Sequence, residues 1–224
     1  MSAHRIVSPE EAALFTVPEI GHRELLLGCG RSRERRIMIN GRRGWSNLTT
    51  LDRNADHGPD VVHDLEVLPY PFEDDSFAEV HAYEVLEHLG CLGDERSFFA
   101  QFSELWRILK PGGFLAATCP SYRSMWAFGD PSHRRVITSG SLVFLNQEQY
   151  RSQVDGIPGP RTAMSDFRFC YHADFDVPLT RGADGKIRPY VIEDDQTLTF
   201  VLRAIKPSRW GDPVRPLEEV ASNR

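Results

Sequence analysis

At 224 residues, with 41% hydrophobic and 26% charged side chains, the chain has the composition of one soluble globular domain and no room for a second full one. Its formal net charge of −6 argues against broad, non-specific DNA binding. No apolar run reaches membrane-spanning length, and Met1 to Glu11 is too polar for a signal peptide.

In chain order, Ser8-Pro9-Glu10-Glu11 predicts a helix start, with Ser8 as N-cap and Pro9 at the first helical position, and a short helix through Phe15. Glu24-Leu25-Leu26-Leu27 reads as a strand buried on both faces and ends at Gly28. Leu48 to Leu51 is a second strand, ending at Asp52, and Asp60 to His63 a third, ending at Asp64. Phe77 to Tyr83 follows a turn rich in Pro and Asp and reads as a fourth strand. Between Asp94 and Leu109 apolar residues recur at helical spacing, and Lys110-Pro111-Gly112-Gly113 stops the helix. Phe114 to Thr118 is a fifth strand. Strands thus alternate with crossovers, which favours a parallel sheet. Residues 121 to about 163 lose clean periodicity and read as an insertion within a single domain of residues 1–206. Asp166 to Tyr171 and Thr197 to Ile205 predict two late antiparallel strands at the sheet edge, and residues 207–224 a loosely ordered tail.

The chemistry-bearing residues cluster at strand ends. Gly28-Cys29-Gly30 is a G-x-G turn leaving the first strand, where glycine permits close approach of a nucleoside to the backbone; the third glycine of a dinucleotide fingerprint is replaced by Arg33. Asp52 lies 22 residues after Gly30, where a carboxylate accepts hydrogen bonds from ribose hydroxyls. The cysteines Cys29, Cys91, Cys119 and Cys170 form no C-x-x-C pair and read as reduced thiols of a cytoplasmic protein.

The chain resembles the class I S-adenosylmethionine (SAM)-dependent methyltransferases in Leu27 to Gly30, Asp52, Asp64-Leu65, Leu68 to Phe77, Glu84-Val85-Leu86-Glu87-His88 and Leu109 to Gly113, which stand in the family's order and spacing over about residues 22 to 120. The resemblance implies an α/β fold: a Rossmann-like, seven-stranded, mostly parallel sheet with helices on both faces and a late antiparallel edge strand. It implies SAM as cofactor, lined by Gly28, Cys29 and Gly30, with Asp52 and its neighbour Arg53 at the ribose and Asp64 and Leu65 at adenine. Tyr83 and Glu84 would border the sulfonium. The departure from the family is a short, arginine-rich first crossover, Arg31 to Trp45.

Glu84, Glu87 and His88 stand at i, i+3 and i+4. Such runs bind a divalent metal in some methyltransferases and brace the cofactor pocket in others; bracing, with no metal, is the expectation here. Arg31, Arg33, Arg35, Arg36, Arg42 and Arg43 read as a solvated face in preference to a phosphate contact. His133, beyond the fifth strand, is the candidate base for an acceptor hydroxyl or amine, whereas His63 and His81 read as structural. The expected reaction is methyl transfer to O or N of a small or glycan-like acceptor, without a membrane. A nucleic-acid methyltransferase and a non-catalytic SAM-binding module are the alternatives; an NAD-dependent oxidoreductase is disfavoured by the Leu109 to Gly113 run.

Overall fold

The computed structural model describes residues 21–154, 171–181 and 185–209. The expected helix after Ser8, most of the strand placed at 166–171, and the tail beyond 209 lie outside these residues.

Strands β1 (Glu24–Leu27), β2 (Leu48–Asp52), β3 (Val61–Val62), β4 (Phe77–Tyr83) and β5 (Leu109–Pro120) pair in the order β3-β2-β1-β4-β5, all in parallel. β10 (Thr197–Ala204) runs antiparallel to β5 over seven paired positions, from Thr197–Pro120 to Arg203–Phe114. Beyond β10 lie β6 (Phe175–Asp176) and β9 (Val191–Glu193), both antiparallel to it. The main sheet therefore has eight strands rather than seven, and β10 is an interior strand, not an edge. β7 (Leu179–Arg181) and β8 (Ile187–Pro189) form a separate hairpin.

Side chains alternate between two faces as the pleat requires. Leu25, Leu27, Val80, Ala82, Leu115, Ala117, Leu198, Phe200 and Leu202 point to the larger core, with Phe99, Phe102, Leu105 and Ile108 of helix α1 (Glu95–Ile108). Asp94 caps α1, its carboxylate accepting from Ser97 N–H at 3.0 Å. The chain then passes straight from Ile108 into β5: Lys110 to Gly113 end the helix as expected but belong to the strand. Short helices α2 (Trp126–Gly129) and α3 (Ser139–Leu142) lead to α4 (Gln147–Val154), and Tyr150 of α4 packs edge-on against Phe99 and Tyr171. Tyr150, within the insertion expected at residues 121 to about 163, is thus a fully buried core residue.

Leu26, Cys29, Tyr83, Phe114, Ala116 and Val201 face the other way. Among the described residues that face is covered by the irregular first crossover, through Ile37, Ile39 and Trp45, and not by a helix. Arg35 is the reason an irregular segment holds. It is buried and pairs with Glu24 at 2.7 Å and with Glu79, both fully buried, and His22 approaches the same two acids at 3.4 and 3.2 Å. Arg33 likewise bonds the carbonyls of Gly30, His57 and Gly58 at 2.8 to 3.0 Å. The solvated face expected of the six arginines is corrected at these two. Buried acids contributed by the alternation of β1 and β4 claim Arg35, and unpaired loop carbonyls claim Arg33.

Candidate active site

Strand order reverses between β1 and β4, and the carboxyl ends of the parallel strands meet there, the place where open α/β sheets bind ligands. At the end of β1, Gly28 has φ +54°, and a Cβ there would strike Val85 Cγ2 at 2.5 Å. Glycine is thus imposed twice, by the left-handed turn and by the neighbouring loop. Cys29 is buried beneath the turn, its N–H donating to Leu51 O at 3.2 Å, and burial raises its thiol pKa. A Cβ on Gly30 would meet nothing within 4 Å, so space lies open over the loop.

Asp52 closes β2. Its Oδ2 accepts from Gly30 N–H and its Oδ1 from Asn54 N–H, both at 2.8 Å, while His57 Nδ1 stands 3.2 Å from Oδ2. Burial pushes the carboxyl up, but these donors outweigh it and hold it below its ordinary value. Asp52 is therefore an anion with a fixed orientation and a side chain that solvent still reaches. Arg53 beside it is exposed. Asp64 is exposed and accepts from Glu66 N–H at 3.0 Å, and Leu65 is buried with its carbonyl bonded to Gln101.

At the end of β4, Tyr83 and Glu84 diverge. Tyr83 sends its phenol to the second face, where the oxygen accepts from Arg36 and Ile37 N–H at 3.3 Å and meets His81 Nδ1 at 2.6 Å. Only its main chain remains at the strand end. Glu84 is exposed with φ +56°, a left-handed conformation rare for a residue with a Cβ and common at functional sites. Its N–H donates to Thr118 O at 2.9 Å, tying the ends of β4 and β5 together.

The segment after β5 turns back over this point. Arg134 and Arg135 N–H both donate to the Glu87 carbonyl, at 2.9 and 3.1 Å, and Leu92 N–H donates to Arg134 O at 2.8 Å. Arg135 is buried, reaching Ser97 Oγ past Gly90, where any side chain would collide with its guanidinium. This latch sets His133 beside His88, their ring centroids 4.8 Å apart. Glu87 is 2% exposed, and burial first, with the like charge of Glu84 second, pushes its carboxyl up to about 8. Tyr122, Met125, Trp126 and Phe128 stand exposed on the same segment. The structure therefore sets Gly28, Cys29, Gly30, Asp52 and Glu84 at one set of strand ends, and His133 beside His88 in the turn after β4. The contact of Val85 with Gly28 and the bonds of Arg33 to the loop carbonyls had no signal in sequence, because each joins distant turns.

A glycine cradle at the switch point, an oriented acid closing the next strand and a latched segment after the fifth lie along the carboxyl ends of a Rossmann-like, mostly parallel sheet. Residues 25–117, a little over two fifths of the chain, match the family described as "Methyltransferase domain". Among solved structures it is similar to a SAM-dependent methyltransferase from Archaeoglobus fulgidus, at 15% identity and TM-score 0.46, over 81% of this chain and 86% of the other. A SAM-dependent methyltransferase from Mesorhizobium loti is similar at 20% identity and TM-score 0.38, over 87% and 96%. One from Methanosarcina mazei shares 14% identity at TM-score 0.38, over 89% and 98%. No curated protein matches the chain. No helix among the described residues is long and apolar enough to cross a membrane.

Proposed function

We propose that the enzyme methylates an O or N atom of a small or glycan-like acceptor. Bound SAM supplies a methyl group already activated by its sulfonium. Gly28, Cys29 and Gly30 would line the cofactor, Asp52 and Arg53 its ribose, Asp64 and Leu65 its adenine, and Glu84 with the main chain of Tyr83 the methionine side. The residues fit that group: Asp52 is held as an oriented anion, and the loop over Gly30 is open. What remains for the protein is alignment, exclusion of water and, for a protonated acceptor, removal of a proton.

The observation that supports the acceptor side is the latch of residues 134–135 onto the Glu87 carbonyl, with His133 beside His88 in the turn that follows β4. His133 Nδ1 lies 2.8 Å from the Trp126 carbonyl, which can only accept, so Nδ1 carries the ring proton and Nε2 has a lone pair for the acceptor. Two arginines of the basic run, Arg33 and Arg35, are consumed internally, which weighs against a nucleic-acid acceptor. Calorimetry with S-adenosylhomocysteine and turnover assays test the reading together. Trp126→Ala and His133→Ala should lower turnover and leave cofactor affinity nearly unchanged. The His133 loss should be about 10²-fold or more, with partial recovery at high pH if the imidazole takes the proton directly. Folded wild-type protein that binds neither SAM nor S-adenosylhomocysteine would sink the cofactor assignment.

A further inference from the structure

Beyond Asp52 the chain passes through a 3-10 turn, Ala55–His57, and leaves it at Gly58 in the left-handed region, φ +61°. Arg33 holds that turn against the glycine loop. Its guanidinium donates to Gly30 O at 2.8 Å, His57 O at 3.0 Å and Gly58 O at 2.9 Å. The arginine that stands in place of a third glycine thus fixes the backbone of His57 beside the Gly28 to Gly30 turn.

Asn54 fixes which nitrogen of that ring carries the proton. Its Oδ1 accepts from Asp56 N–H at 3.0 Å, so its amide nitrogen is the atom 3.3 Å from His57 Nε2. An amide N–H donates, so Nε2 of the neutral ring accepts and the ring proton lies on Nδ1. Nδ1 is shielded from solvent, makes no well-aligned hydrogen bond, and stands 3.2 Å from Asp52 Oδ2. A shielded N–H costs free energy until an acceptor takes it, and a small rotation of the ring brings it onto that oxygen. Oδ2 already accepts from Gly30 N–H, and Oδ1 from Asn54 N–H. With about two lone pairs on each oxygen, His57 fills Oδ2, and the lone pair left over is on Oδ1.

We propose that His57 rations the Asp52 carboxylate, so that Asp52 holds one of the cofactor's two ribose hydroxyls and not both. The inference rests on the reading of Asp52 as the ribose ligand and adds a selectivity to it. A carboxylate with a free lone pair on each oxygen can grip a ribose diol at both hydroxyls. This one, with Oδ2 filled, takes a single O–H at Oδ1. His57 is then a positioning residue: it acts through Asp52 and keeps the acid in one orientation before and after the cofactor arrives. Arg33 and Asn54 support it in turn, Arg33 at its carbonyl and Asn54 at the far side of its ring.

Calorimetry on the full chain compares S-adenosylhomocysteine with its 2′-deoxy and 3′-deoxy forms. Wild type should lose about 10-fold or more in affinity for one deoxy form and no more than about 3-fold for the other. Equal losses for the two forms, large or small, overturn the proposal. His57→Ala frees the lone pair on Oδ2, so the hydroxyl that wild type ignores should now count, and its deoxy form should fall behind by about 10-fold. An unchanged pattern in that variant overturns the role of the ring. His57→Asn, whose amide N–H can stand where Nδ1–H does, should keep the wild-type pattern; the pattern of His57→Ala there would assign the effect to ring bulk and overturn the proposal. Should His57→Ala fail to fold, the wild-type comparison and His57→Asn decide. Wild-type protein that binds no S-adenosylhomocysteine at all overturns the cofactor reading, and this proposal with it, whereas tight binding with equal deoxy losses overturns this proposal alone.

Discussion

On the proposed reading, Asp52 serves the loop and the cofactor with one carboxylate. Of its roughly four lone-pair sites, two take the N–H groups of Gly30 and Asn54 and His57 Nδ1 stands at 3.2 Å from Oδ2, which leaves room for a hydroxyl outside the turn. Asp52→Ala should therefore weaken S-adenosylhomocysteine binding by about 1.5–3 kcal/mol for each charge-assisted bond lost. Asp52→Asn, which keeps one carbonyl oxygen, should lose less. Calorimetry giving wild-type affinity in both variants would place the ribose contact elsewhere. Asp52 was legible in sequence because it closes an apolar run at a telling distance from Gly30. Tyr83 was legible only in part: its position ends β4, but the parity of the strand carries its phenol to the opposite face and into the first crossover.

At the scale of elements, the first crossover is an irregular segment held by charge. Arg35 neutralises Glu24 and Glu79 beneath β1 and β4, and Glu24 also accepts from the N–H groups of Ser46 and Asn47 at 2.7 and 3.0 Å, fastening both ends of the crossover. Arg35→Met leaves two buried carboxylates without their guanidinium and should cost about 3–5 kcal/mol in a denaturant titration. Adding Glu79→Gln should restore part of that loss, since one stranded charge is removed. A destabilisation under about 1 kcal/mol would show the network to be well solvated instead. The alternating strands and α1 could be read from periodicity, whereas this network could not. Its members are spread from His22 to His81, and in sequence an arginine-rich loop looks the same whether its charges meet water or buried acids.

For the whole molecule, the buried titrating groups set the response to pH. Burial pushes Glu24 and Asp52 up, but the hydrogen bonds they accept outweigh it, and Asp60 is lowered by the Thr50 hydroxyl and N–H. Carboxyls lowered in the fold add stability that is present above their unfolded values, about pH 4, and lost as pH falls through the folded ones. His81, lowered chiefly by burial, acts with the same sign below about pH 6.5, whereas Glu87, raised to about 8, acts against it as pH rises. The melting temperature should therefore be nearly level between roughly pH 5 and 6.5 and fall steeply below about pH 4.5. Scanning calorimetry showing a level profile to pH 3.5 would contradict that assignment. At this scale the division is physical. Local pattern, namely apolar runs, a G-x-G turn and acids at strand ends, was enough to determine the parallel α/β frame and to set Gly28, Gly30 and Asp52 at its strand ends, because those features depend on neighbours in sequence. Tertiary structure alone decided that β10 lies inside an eight-stranded sheet, that Arg35 is buried, and that His133 meets His88 and the unpartnered Glu87. Each depends on which distant groups share a space too dry for water to satisfy them, and periodicity holds no record of that.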